Sequence, residues 1–105
     1  MKREGSRKNG FSLGLNYLDQ TGGCRWVAFI VPKACGNAVV RNRIKRRLRE
    51  AYRQLQHELP GGLISVWIAR PASAGRAQRE LAAEMRGMYT KTGLLPPEDR
   101  GGGVD

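Results

Sequence analysis

The spacing of apolar positions changes along this chain, and each change marks an element. Phe11, Leu13, Leu15 and Tyr17 alternate with Ser12, Gly14 and Asn16, the period-two pattern of a strand with one apolar face. Asp19-Gln20-Thr21-Gly22-Gly23 carries turn chemistry, and Trp26 to Val31 is a continuous apolar run rich in β-formers. Together these predict an antiparallel hairpin. Pro32 has no N–H to give a ladder and should end its second strand. Beyond it the period lengthens. Val40, Ile44, Leu48, Ala51, Tyr52 and Leu55 fall within an arc about 120° wide on a helical projection, predicting a helix from Ala38 to roughly Leu59, with Asn37 as its N-cap. Pro60-Gly61-Gly62 should stop that helix. Leu63 to Ala69 then reads as a buried strand ending at Arg70-Pro71. A second helix from about Gly75 to Tyr89 places Leu81, Met85 and Met88 at i, i+4 and i+7. The predicted order is strand, strand, helix, strand, helix.

Within that order Trp26, Phe29 and Trp67 read as core residues, Met85 and Met88 as core filler, and Tyr52 as a packed ring with its hydroxyl at the rim. Residues 1–10 are basic and polar and are expected to be flexible. Residues 11–92 form a single α/β domain, and the Pro, Gly and acid content after Thr92 predicts a disordered tail over 93–105. A chain of 105 residues that is 40% hydrophobic can bury one modest core without a metal or disulfide. Cys24, Cys35 and the lone His57 are too few for a structural zinc site, so Cys35 is read as a small hydrophobe near the helix entry. No apolar run approaches the length that spans a bilayer, and no signal-peptide core follows Met1. The expected location is the cytoplasm, with reduced thiols.

Charge sharpens this picture. The net formal charge is +10, and eight of the nineteen Lys and Arg residues lie between Lys33 and Arg53 with one acid, Glu50, among them. Arg41, Arg43, Lys45, Arg46 and Arg47 crowd the front half of the predicted helix, where the macrodipole is already positive and like charges three or four residues apart repel. Asn42, Lys45, Arg46, Arg49 and Arg53 cluster opposite the apolar arc, while Arg43 and Arg47 flank it and Arg41 projects toward its edge. Such a face calls for a polyanion, and guanidinium forks match phosphate oxygens. Lys33 and Arg70 sit at strand ends, where side chains are free to reach a ligand.

The string Lys33-x-x-Gly36-Asn37-Ala38-Val39-Val40-Arg41-Asn42-Arg43-Ile44-Lys45-Arg46-x-x-Arg49-Glu50 resembles the signature of the bacterial ribonuclease P protein component. The likeness extends through Ile68-Ala69-Arg70-Pro71 and the final amphipathic helix, covering about residues 11–90. It implies an α+β fold, a two-layer α/β sandwich like the second domain of ribosomal protein S5, with a left-handed crossover through the basic helix. It also implies a function: the chain would bind the catalytic RNA subunit and help remove the 5′ leader from precursor tRNA. The RNA would perform the hydrolysis with Mg2+ at its own active site, leaving no catalytic residue, metal or cofactor to the protein. No obligate protein partner and no membrane contact are expected.

Carried onto this chain, the RNA-binding set is Lys33, Arg41, Asn42, Arg43, Lys45, Arg46, Arg49, Arg53 and Arg70. Ser12, Gly14 and Asn16 stand where the sheet would meet the leader, Asn16 in the place of a common aromatic, and Ala34 replaces a frequent second lysine. The Phe-bearing helix that usually precedes the first strand is expected to be missing, so leader recognition by stacking should be weak. A protein nuclease would need a carboxylate cluster or a histidine acid/base pair, and the pattern offers neither. A helix-turn-helix DNA reader would need a second helix where this chain places strands.

Overall fold

The computed structural model describes residues 6–19, 23–59 and 61–95. Strands β1 (Ser6–Asn9), β2 (Leu13–Asp19), β3 (Trp26–Ile30) and β4 (Leu63–Ala69) form one sheet in the order β1-β2-β4-β3, and helices α1 (Ala38–Leu55) and α2 (Gln78–Lys91) pack on one of its faces. The fold is thus α+β in two layers, as the sequence reading has it.

The predicted hairpin between the second and third strands does not form. β4 lies between them, antiparallel to β2 (Leu13↔Ala69 to Asp19↔Leu63) and parallel to β3 (Trp26↔Ile64 to Ile30↔Ile68). Three residues of the predicted turn, Gln20 to Gly22, lie outside the described residues, and a turn signal does not by itself choose the partner strand. β4 alternates fully buried Leu63, Ser65, Trp67 and Ala69 with half-buried Ile64, Val66 and Ile68, so it has apolar surface to offer on both faces and takes a central place. A parallel β3–β4 pair requires a long crossover, which α1 supplies.

Two expectations about the ends of the domain are also corrected. Ser6–Asn9, within the stretch expected to be flexible, is an edge strand paired antiparallel with β2 from Ser6↔Tyr17 to Asn9↔Gly14. Its all-exposed polar composition hid it, and that composition suits a sheet edge that must not recruit another strand. Leu95, assigned to the tail, is buried in the core, where its amide and that of Leu94 both donate to the Tyr89 carbonyl. Residues 1–5 and 96–105 lie outside the described residues. α1 ends at Leu55, short of Leu59, and continues as a single 3-10 turn over Gln56–Glu58. α2 is shifted to begin at Gln78, after a 3-10 turn over Pro71–Gly75.

The core joins Leu13 and Leu15 of β2, Leu63 and Trp67 of β4, Ile44, Leu48, Ala51, Tyr52 and Leu55 of α1, and Leu81, Met85, Met88 and Tyr89 of α2. Phe29 packs edge-on to Tyr52, with ring centroids 6.1 Å apart. Cys35 is buried and its thiol donates to the Ala69 carbonyl, in keeping with its reading as a small hydrophobe. Two aromatic assignments fail. Trp26, on edge strand β3, is 57% exposed on the face away from the helices. The Tyr52 hydroxyl, placed at the rim, is buried without a hydrogen-bond partner among the described residues.

At the centre, Trp67 Nε1 donates to the Tyr89 hydroxyl at 3.0 Å, and that hydroxyl donates to Ser65 Oγ at 2.8 Å, while the two rings meet edge-to-face. Burial pushes the Tyr89 hydroxyl well above its ordinary value near 10, its two hydrogen bonds only partly opposing the shift. The neutral form therefore stabilises the fold in full below about pH 10, and this contribution is lost as pH rises beyond it. Tyr89→Phe removes the acceptor from a buried indole N–H and should lower the unfolding free energy by about 1–3 kcal/mol in urea titrations. The same variant should show a shallower loss of stability than the parent between about pH 10 and pH 12. An equal alkaline loss in both proteins would mean that Tyr89 is not the responsible group.

Candidate nucleic-acid interface

The position of the basic face is set before α1 begins. Gly36 has φ +141°, a conformation that side chains resist, and a Cβ there would stand 2.9 Å from Val40 Cγ1. Asn37 follows in extended conformation, and its side chain accepts from the Val40 N–H at 3.0 Å, the N-cap expected from sequence. With the entry fixed, Ile44, Leu48, Ala51, Tyr52 and Leu55 turn inward together, and Val40 is half-buried at the edge of their stripe. The opposite side of the same helix then has to face water.

Asn42, Arg46, Arg49 and Arg53 are exposed on that side, with Arg43 and Lys45 half-buried on its shoulders. No acid occupies the first turn. Glu50 is taken by Arg53, whose Nε reaches its carboxylate at 3.2 Å. Arg43, Lys45, Arg46 and Arg49 have no hydrogen-bond or ion-pair partner among the described residues. Arg41 and Arg47 are used differently. Arg41 Nε donates to the Gly36 carbonyl at 3.1 Å, closing the helix entry, and Arg47 donates to the Arg76 carbonyl at 2.7 Å, tying α1 to the segment before α2. Lys33 is exposed on the 3-10 turn Lys33–Cys35 that leads into the helix.

Arg70 is not part of this face. It lines a shallow cavity of about 220 Å³ on the other side of the sheet, with Arg7, Asn9, Gly14, Asn16 and Ile68. There Arg70 donates to Asn9 Oδ1, and Arg7 Nε donates to Asn16 Oδ1 at 3.1 Å. Gly14 leaves the floor low, since a Cβ would come within 3.3 Å of the Arg70 guanidinium. Of the three leader-facing candidates, Gly14 and Asn16 lie on this open face. Ser12 does not serve there, because it is fully buried and both its amide and its hydroxyl donate to Glu84 on α2. Arg7 and Asn9 escaped the sequence reading because β1 itself did, its four residues being polar and exposed throughout, with no alternation to mark a strand. Trp26 and Ile30 extend the same face as exposed apolar surface.

Among the described residues no cluster of three His, Cys, Asp or Glu side chains could hold a metal ion, and no helix is long and apolar enough to cross a membrane.

A family model described as Ribonuclease P matches residues 1–93 of the chain. A ribonuclease P protein component from a Roseiflexus species is 36% identical over 102 residues, covering 96% of this chain and 84% of its own length. The component from Gluconacetobacter diazotrophicus is 44% identical over 73 residues, covering 69% of this chain and 63% of its own. That from a Nocardioides species is 40% identical over 67 residues, and the chain spans 57% of its length. Among solved structures, a Staphylococcus aureus RNase P protein mutant with defective mRNA degradation activity superposes with a TM-score of 0.77 at 20% identity, covering 87% of this chain and 77% of that one. The RNase P protein from Thermotoga maritima gives 0.74 at 18% identity, covering 84% of each chain.

The entry turn yields a direct check on how the basic face is aimed. Gly36→Ala should cost about 1–3 kcal/mol, from the strained φ and the Val40 clash, and Asn37→Ala about 1 kcal/mol, in urea denaturation followed by far-ultraviolet circular dichroism. A Gly36→Ala variant as stable as the parent would show that the helix entry does not depend on this geometry.

Proposed function

The chain belongs to the ribonuclease P protein family, and from that premise we propose that it is the protein subunit of a ribonucleoprotein endonuclease that removes the 5′ leader from precursor tRNA in the bacterial cytoplasm. Its part is electrostatic and structural. The outward face of α1 holds the catalytic RNA subunit, and the observation that carries this reading is the set of four cations, Arg43, Lys45, Arg46 and Arg49, without acid partners among the described residues. Phosphates brought to these side chains shed condensed counterions, so association releases ions and tightens a folded RNA. Arg forks can engage phosphate oxygens in pairs, and Asn42, exposed between Arg46 and Val39, can both donate to and accept from a base edge or a 2′-hydroxyl.

Hydrolysis is assigned to the RNA, with Mg2+ held there. The protein's contribution to the metal is indirect, through a scaffold whose phosphates are already partly neutralised. The open sheet face, with Arg7, Asn9, Gly14, Asn16 and Arg70, is the surface proposed for the precursor. Its polar cavity favours contact with the backbone of a single strand over the stacking that an aromatic at Asn16 would provide.

Double charge reversal, Arg46→Glu with Arg49→Glu, should weaken binding to the catalytic RNA. It should also flatten the dependence of log K on log salt by about 1.4–1.8, from two lost phosphate contacts. Filter binding across a salt series reads both. An affinity and slope equal to the parent's would remove these side chains from the interface. In reconstituted cleavage at low magnesium, the parent should stimulate processing of precursors with long and short leaders, and Arg70→Ala should reduce the difference between them.

A further inference from the structure

A cavity outside both surfaces lies against α2. A groove of about 470 Å³, within the size range of ligand sites, runs between the β1–β2 turn and α2. Its walls include Lys8, Phe11, Arg76, Gly87, Met88 and Lys91. Phe11 sits on its turn with 71% of its surface exposed, the most exposed large apolar side chain among the described residues. Arg76 lies over the ring, its guanidinium carbon 5.2 Å from the centroid.

This arrangement is held in place with some care. Glu84, largely buried on α2, accepts from the Ser12 amide and hydroxyl and from the Leu13 amide at 3.0 Å, and pairs with Arg76 at 3.6 Å. Gly10 lets the turn approach that closely, since a Cβ there would overlap Glu84 Oε2 and stand 2.8 Å from Met88 Sδ. Glu80, the other acid of the groove, is engaged in capping α2 through the Ala77 amide at 2.7 Å. Both acids are therefore committed, whereas Lys8 and Lys91 have no partner among the described residues. The groove presents a free aromatic surface, a stacked guanidinium and two unpaired ammonium groups. It lies near α1, because the Arg76 carbonyl is the acceptor for Arg47 of that helix.

We propose that this groove is a stacking subsite for one unpaired nucleotide of the RNA held by α1. The base lies against the Phe11–Arg76 pair, and its phosphates meet Lys8 and Lys91. The inference rests on the proposed function and names a contact that α1 does not make. Flat apolar surface beside unpaired cations suits a nucleotide, which carries both a π face and a charge. An acidic peptide would use the ammonium groups and leave the ring without a match.

Phe11→Leu, Phe11→Ala and Phe11→Tyr, each in the full chain, separate the possibilities in salt-series binding to the catalytic RNA. Because Phe11 is largely exposed, these changes should leave urea stability close to the parent's. Leu and Ala should weaken binding about 5- to 100-fold with an unchanged salt slope, since stacking carries no charge, while Tyr should bind as the parent does. The inference is overturned if Leu binds like the parent, if Tyr loses as much as Leu, or if the loss comes with a flattened slope, which would assign it to a displaced cation. A normal Phe11→Leu beside an impaired Arg46→Glu, Arg49→Glu variant defeats the stacking subsite alone. A parent protein that does not bind the RNA defeats the proposed function.

Discussion

The phase of α1 against the sheet is the constraint on which this molecule turns. Each of Ile44, Leu48 and Leu55, fully or almost fully buried, contributes about 1.5–3 kcal/mol through removal from water. Each like-charge pair at helical spacing costs only about 0.2–0.5 kcal/mol at an exposed surface. Burial therefore decides the rotation of the helix, and the cations accept whatever side is left. The repulsion that results is tolerated, not resolved: Glu50 answers one arginine, and the remaining exposed cations are solvated. A helix under this arrangement gains from any polyanion laid along it, with no rearrangement of its core.

Not every cation on α1 has the same task. Arg41 and Arg47 spend hydrogen bonds on carbonyl groups of the fold, at Gly36 and Arg76, so they brace the helix that presents Arg43, Lys45, Arg46 and Arg49. Removing a bracing arginine would disturb the fold itself, whereas Arg46 and Arg49 are exposed, so under the proposed function their removal would bear on RNA contact alone. Away from α1, Glu84 has a comparable place. One carboxylate gathers two amides, a hydroxyl and a guanidinium, and so fixes the β1–β2 turn to α2. Its burial would be costly without that full set of donors.

What could be read from the residues alone divides along physical lines. The α1 stripe, the Asn37 cap and β4 were legible because each is a local pattern with a local cause: period, side-chain capping geometry, a run of β-formers. Strand pairing was not legible, because β2 and β3 are separated by a partner that arrives more than thirty residues later in the chain. β1 was invisible for another reason. Its polar side chains bury nothing in the core, and the strand exists because backbone groups find a ladder on β2. Trp26 misled because an apolar run on an edge strand keeps one of its faces in water, and Leu95 because a turn folded a residue of the supposed tail back over α2. Of the RNA-binding candidates, those on α1 other than Arg41 lie together on its outward side, while Arg70 belongs with Arg7 and Asn9 on a surface whose existence depended on the missed strand.

A two-layer fold has a consequence for the two surfaces that the proposed function assigns to RNA. The helices cover one face of the sheet, so α1's cations and the Arg7–Arg70 cavity look outward from opposite layers and cannot follow one continuous strand without wrapping the domain. Under the proposed function, the protein is then a spacer as much as a ligand, holding the catalytic RNA against one layer and the precursor against the other. The separation between the two is set by the thickness of the core. Core packing thereby enters the recognition problem directly. If the two layers hold RNA as proposed, truncating Leu48 or Trp67 would change the distance between two RNA elements as well as the stability of the chain, even though neither side chain reaches solvent.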